Sequence, residues 1–198
     1  MVRVWRLAEP NVERLVIPLD TPGHQIALYH YPAYVPRWAD PVILSHGLAA
    51  NRFNMDFHRD GHGSGRSSLA RYLARRGFDV WVLETRGHGH AKTPRRALWN
   101  AWDEVREDVP TAIRTVLDVT SRERVFWVGH SWGGLLQVLL QASGGREANN
   151  VAGVVALGAP GRFGEHRTFE RLRAFAVLFR SPASARAPSS RDPSLLGC

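Results

Sequence analysis

One cysteine and one lysine occur in 198 residues, and each scarcity excludes something. The cysteine, Cys198, is the last residue and has no partner within the chain, so a disulfide framework is excluded and a reducing compartment is the default. Long apolar runs are also missing: none approaches the roughly 20 residues that span a bilayer. The amino-terminal "MVRVWRLAEPN" has no uninterrupted apolar core before Glu9 and Pro10, so no secretory leader is expected. These absences lead to the expectation of a soluble cytoplasmic protein without a transmembrane segment.

The net charge of +8 comes almost entirely from arginine, with Lys92 the sole lysine. Those arginines are spread along the chain and often lie beside acids, as in "DEVRED" and "SRER". A nucleic-acid surface needs its charge gathered on one face or in blocks, so no specific nucleic-acid partner is expected. The bland alternative, a solvated basic surface, accounts for the pattern, and any attraction to anionic lipid is undirected.

What is present reads as alternating strands and helices. "VERLVIPL" and "QIALYHY", separated by "DTPGH", predict an antiparallel hairpin within residues 12 to 31. Strands follow at "PVILSHG", "FDVWVLE", "RVFWVG" and "VAGVVALGAP". Helices are predicted at "SSLARYLARRG", capped by Ser67 or Ser68, at "ALWNAWDEVREDVPTAIRTVLDV" with a break near Pro110, and at "SWGGLLQVLLQAS". The alternation predicts an α/β fold, a mostly parallel, doubly wound sheet preceded by the short antiparallel hairpin. Near-continuous apolar strands such as "VAGVVALG" predict burial on both faces. "EHRTFERLRAFAVLF" has helical spacing through Phe169, Leu172, Ala176 and Phe179. The expected organisation is a core over residues 1–180 and a disordered tail over 181–198, rich in proline, serine, alanine and arginine.

Gly129-His130-Ser131-Trp132-Gly133 matches G-x-S-x-G, with a strand immediately before it and a helix immediately after. The turn between them is so tight that a Cβ at either glycine would strike neighbouring backbone. It would hold Ser131 Oγ at the carboxyl edge of the sheet, where a helix amino terminus offers free N–H groups to a developing oxyanion. By chance a glycine-rich turn can also contain serine, and the pentapeptide alone is weak; its strand-to-helix setting makes Ser131 the candidate nucleophile. "VILSHGLAAN" places His46-Gly47-Leu48 at the end of an earlier strand, so the backbone N–H groups of Leu48 and Trp132 are the candidate oxyanion donors.

With "SHGLAAN", "GFDVWVLETRGHGHA" and "VGHSWGG" in hand, the chain resembles the α/β-hydrolase superfamily over about residues 12 to 163. "FDVWVLETRGH" and "WDEVREDVPTAIRTVLDVTSRERVFWVGHSWGG" look most like the acid-lipase group and related bacterial esterases. There is also similarity to polyhydroxyalkanoate synthases, which carry cysteine where this chain has Ser131. The resemblance implies a serine nucleophile, no cofactor, and a small-molecule ester or lipid substrate with a hydrophobic group, processed through an acyl-enzyme.

In that superfamily the triad runs serine, acid, histidine along the chain. After Ser131 only His166 remains as a histidine, with Glu147 and Glu165 as the intervening acids. Glu147 would lie at the amino edge of the sheet, away from the turn, and Glu165 is adjacent to His166 and poorly placed to orient it. His166 is either an improvised base or a solvated position on a helix, and Asp192 falls in the expected tail. The chain is therefore expected to be a carboxyl-terminally incomplete α/β-hydrolase, whose unfinished sheet edge favours self-association. Two alternatives to a serine esterase follow: a noncatalytic binding module, and an acyltransferase using the same serine. Metal binding is not expected, because His58 and His62 sit among glycines and His88 and His90 lack further ligands. "GHGSGRSS" lacks the lysine of a phosphate loop.

Overall fold

In the computed structural model, which describes residues 3–6, 11–57 and 68–160, seven strands form one sheet. They are β1 (Arg3–Arg6), β2 (Glu13–Pro18), β3 (Gln25–Tyr31), β4 (Val42–Ser45), β5 (Val80–Glu84), β6 (Val125–His130) and β7 (Val151–Leu157). Their spatial order is β1-β2-β3-β5-β4-β6-β7. The pairings β1–β2, β2–β3 and β3–β5 are antiparallel, and β5, β4, β6 and β7 run parallel. Helices α1 (Leu69–Arg75), α2 (Ala101–Asp103), α3 (Val109–Thr120) and α4 (Trp132–Ser143) connect the parallel strands.

The period of two along the strands sorts the apolar residues onto two covered faces. Ile26 and Leu28 of β3, Ile43 of β4, Trp81 and Leu83 of β5 and Trp127 of β6 pack with Val109, Ile113 and Val116 of α3 and Leu136 and Leu140 of α4. The alternate residues Ala27, Tyr29, Val42, Leu44, Val80 and Val82 pack with Ala70 and Ala74 of α1. Each large side chain taken out of water here contributes about 1.5–3 kcal/mol. The strand runs between glycines and prolines therefore form the middle of the sheet, as their near-continuous apolar character predicts.

The helix boundaries follow local chemistry. Ser68 caps α1, its Oγ accepting from the Arg71 N–H at 3.1 Å. Asn100 caps α2 in a reciprocal box with Asp103. Between α2 and α3 the backbone widens into a π-type turn, Glu104–Asp108, and Pro110 then occupies the first turn of α3, near the predicted break. The wide turn brings Glu104, Val105 and Asp108 to the buried side. There the Arg86 guanidinium meets Asp108 at 2.7 Å and also pairs with Glu107. The "DEVRED" segment is thus part of the interior as well as the surface.

Two differences from expectation are local. β1 adds an outer strand that "RVWR" does not announce, because it is short and charged and is defined by its pairing with β2. β7 is less covered than its composition suggests: Val154, Val155 and Leu157 are 39%, 51% and 42% exposed. Among the described residues it is an edge strand, at the margin opposite β1, with a neighbour on one side only. The predicted helix through Phe169 and the tail over 181–198 lie outside the described residues, as does the expected boundary at 180. Among the described residues no helix is long and apolar enough to cross a membrane.

Candidate active site

Ser131 sits between β6 and α4 with φ 49° and ψ −109°, a region that L side chains seldom occupy. A conformation of this kind costs on the order of 1–3 kcal/mol and persists only where the surroundings hold it. Three connections do so. The Ser131 N–H donates to the Leu157 carbonyl of β7 at 2.8 Å, the Gly133 N–H donates to the His46 carbonyl at 3.1 Å, and the Leu135 N–H returns to the Ser131 carbonyl at 3.0 Å. The flanking glycines are required by space. A Cβ on Gly129 would lie 2.3 Å from the Gly134 nitrogen, and one on Gly133 would lie 2.5 Å from Ser45 Oγ and 2.6 Å from the Ser45 carbonyl oxygen.

The segment after β4 comes directly against this turn. A Cβ built on Gly47 would stand 3.5 Å from Ser131 Cβ and 3.0 Å from His130 Nδ1. Asn54 fixes the approach: its carboxamide oxygen accepts from the Gly47 N–H at 3.0 Å and lies 3.0 Å from His130 Nδ1. Leu48, the next residue, is exposed. Trp132 is the first residue of α4, where an N–H has no intrahelical acceptor. Among the described residues neither the Leu48 nor the Trp132 N–H donates to another backbone carbonyl. Ser131, the Gly47–Leu48 loop and the start of α4 are therefore brought together at the carboxyl edge of the parallel strands.

Behind the loop the polar groups are buried and specifically paired. His46 has its Nδ1 2.8 Å from the Gly47 carbonyl and its Nε2 accepting from the Thr85 N–H at 3.4 Å, so the neutral ring with its proton on Nδ1 satisfies both contacts. Burial, more than any charge, lowers its pKa to about 4. Glu84 ends β5 and gathers three donors: the Arg52 N–H at 2.9 Å, the His90 N–H at 2.7 Å and the Tyr29 hydroxyl at 3.1 Å. Burial and then the adjacent Glu84 charge push the Tyr29 phenol above its ordinary range. Glu104 accepts from the Trp132 indole at 3.0 Å and from the Trp99 indole at 3.1 Å. Its own burial raises its pKa to about 7.

His166, Glu165 and Asp192 lie outside the described residues, as do His58 and His62. Glu147 precedes β7 at the amino edge and pairs with Arg114 at 2.7 Å, away from the turn as its position predicts. Among the described residues Ser131 Oγ makes no hydrogen bond to a histidine. His88 and His90 face different partners, His88 the Arg86 carbonyl at 3.0 Å and His90 the Tyr29 hydroxyl at 2.7 Å.

Asn54, Glu84 and Glu104 were not legible as site residues. Asn54 looks like a loop residue and Glu104 like one acid among several on a solvated helix. Only the neighbouring tryptophans, Trp99 and Trp132, whose indoles need acceptors when covered, carried a signal for Glu104.

The architecture recurs in known proteins. A family model described as "Hydrolase_4: Serine aminopeptidase, S33" matches residues 56–194. Human lysosomal acid lipase/cholesteryl ester hydrolase is 33% identical over 137 residues, covering 63% of this chain and 33% of that protein. A thermophilic esterase from Thermogutta terrifontis superposes with a TM-score of 0.59 at 20% identity, over 83% of this chain and 52% of the other. An alpha-beta serine hydrolase homologue from Coxiella burnetii gives 0.59 at 17% identity, over 90% and 86%. The chain spans a quarter to a third of the length of the curated lipases it resembles. With the family model covering more than half of its residues and the strained serine turn in place, the chain belongs to the Hydrolase_4 family of α/β hydrolases.

Proposed function

We propose that this chain carries the nucleophile and oxyanion half of a serine carboxylic-ester hydrolase. The observation that carries the reading is Ser131 itself, held at φ 49° between Gly129 and Gly133 and faced by the Gly47–Leu48 loop. In the proposed reaction Ser131 Oγ attacks the ester carbonyl and the alcohol leaves with a proton. The N–H groups of Leu48 and Trp132 stabilise the tetrahedral oxyanion, and water then releases the acid from the acyl-enzyme. The proton transfers need a base beyond the described residues, for which His166 is the candidate.

A hydrophobic acyl group suits the surroundings. The segment that carries the oxyanion loop leaves Leu48, Phe53 and Phe57 exposed. The lipase and cholesteryl ester hydrolase named above supports the same substrate class by likeness. With a single cysteine the protein needs no oxidising compartment, and a cytoplasmic location belongs to the same reading.

The test is hydrolysis of p-nitrophenyl butyrate by the full chain and by its Ser131→Ala variant. The expected result is measurable turnover that the substitution lowers by at least about 10³, the scale of losing a nucleophile. Equal rates in the two proteins would remove Ser131 from any catalytic role and leave the binding-module alternative.

A further inference from the structure

Glu104 is the one buried carboxylate of the described residues that touches the residue next to the nucleophile. It is 2% exposed and lies on the wide turn between α2 and α3. Its two oxygens are divided between two indoles, Oε2 taking the Trp132 N–H at 3.0 Å and Oε1 the Trp99 N–H at 3.1 Å. The loop before α2, the wide turn and the start of α4 are thereby joined through one side chain.

An aspartate, glutamate or glutamine that merely filled space would not need this geometry. An ionised carboxylate accepts on both oxygens and donates from neither, which is what two opposed indole donors require. Resting on the reading of Ser131 as an ester-cleaving nucleophile, we propose that Glu104 is a positioning residue: it holds the Trp132 side chain, and through it the backbone N–H beside Ser131, where the developing oxyanion needs a donor. The link is short. The turn holds the Ser131–Trp132 peptide through its carbonyl, and Glu104 holds the Trp132 side chain, so the first residue of α4 is positioned from both ends and a freed indole would leave the turn alone to set it.

The grip depends on charge. Below the range in which Glu104 ionises, one of its oxygens carries a proton and its acceptance from an indole weakens. Burial moves that range up to about neutral, and Asp108 on the same turn pushes in the same direction. The other groups facing it are the Trp132 and Trp99 indoles, whose hydrogen bonds oppose the shift, and the neighbouring Thr85, which acts in the same sense. Arg86, the nearest buried cation on the loop after β5, is engaged by Asp108 and Glu107.

The experiment uses the full chain, wild type and the variants Glu104→Met, Glu104→Gln, Trp132→Phe and Glu104→Met with Trp132→Phe, each first shown by thermal melting to be folded. Glu104→Met fills a similar volume without an acceptor; Glu104→Gln keeps one. On p-nitrophenyl butyrate, Glu104→Met and Trp132→Phe should each lower kcat about tenfold with little change in KM, less than the 10² to 10³ for losing a donor outright. Glu104→Gln should recover part of the loss, and the double variant should be no slower than either single one. Independently of turnover, the indole ¹H–¹⁵N resonances of Trp132 and Trp99 should titrate together near neutral pH in the wild type and stand still in Glu104→Met. Wild-type kcat in Glu104→Met, additive losses in the double variant, or a Trp132 resonance that does not titrate would each overturn the role. A Ser131→Ala variant as fast as the wild type would sink the hydrolase reading and the positional role with it, whereas an active, Ser131-dependent wild type with additive variants sinks the role alone.

Discussion

Burial decides the protonation of both His46 and Glu104, and in opposite senses. The His46 pKa is lowered to about 4 in the folded state, so between that value and about 6.5 the unfolded chain binds the proton and the folded one does not. Its contribution to stability is therefore present above about pH 6.5 and is lost as pH falls toward 4. For Glu104 the folded pKa is raised to about 7 from 4.5, so its contribution is present below pH 4.5 and is lost as pH rises through 7. Between pH 4.5 and 6.5 the two effects oppose each other. Replacing one should uncover the other, each changing the slope of unfolding free energy against pH by about 1.4 kcal/mol per unit. His46→Asn, whose carboxamide nitrogen can take the place of Nδ1, should lower the slope, and Glu104→Met should raise it. Urea titrations at pH 4.5, 5.5 and 6.5 measure both, and equal slopes in the three proteins would show that neither group titrates differently on folding. Neither environment was legible beforehand. His46 reads as part of a glycine-rich turn and Glu104 as part of a charged helix, because burial at these positions is created by the packing of segments distant in sequence.

At the scale of elements, the turn at Ser131 depends on two surfaces meeting without a side chain between them. The absence of a Cβ lets α4 lie against β4 at Gly133 and against its own strand at Gly129. Gly133→Ala must therefore push α4 away from Ser45 or distort β4, at a cost of about 1–3 kcal/mol or more. Because the shift moves Trp132 as well, labelling of Ser131 by a fluorophosphonate should slow further than the loss of stability explains. A variant that melts lower yet labels at the wild-type rate would separate fold from site. This part of the molecule was legible in the sequence: the strand, the two glycines and the helix are contiguous, and a local pattern reports a local geometry. So were β2 through β6, whose apolar runs are interrupted by proline and glycine. β1 was not, since four residues of "RVWR" become a strand only by pairing with β2. The wide turn at Glu104–Asp108 was not either, since its register change answers the buried Arg86 more than any local propensity.

For the whole molecule, the sheet sets an asymmetry between its two sides. The β3–β5–β4–β6 centre is covered on both faces, and at one margin β1 and β2 extend the sheet beyond it. At the other margin β7 places Val154, Val155 and Leu157 in partly exposed positions, although its composition is that of a central strand. Unpaired strand edges with apolar side chains are templates for association, and we propose that this margin is where copies of the chain meet. The net charge of +8 acts against association in low salt and is screened within a Debye length of about 8 Å at physiological ionic strength. The purified chain should therefore elute larger than a monomer in light-scattering chromatography, with the larger species favoured by added salt. Val155→Lys places a charge on the half-exposed middle of β7 and should shift the distribution toward monomer without lowering the melting temperature appreciably. A monomeric wild type at every salt concentration would place the covering of β7 within the chain itself, and an unchanged distribution in Val155→Lys would move the association to another surface.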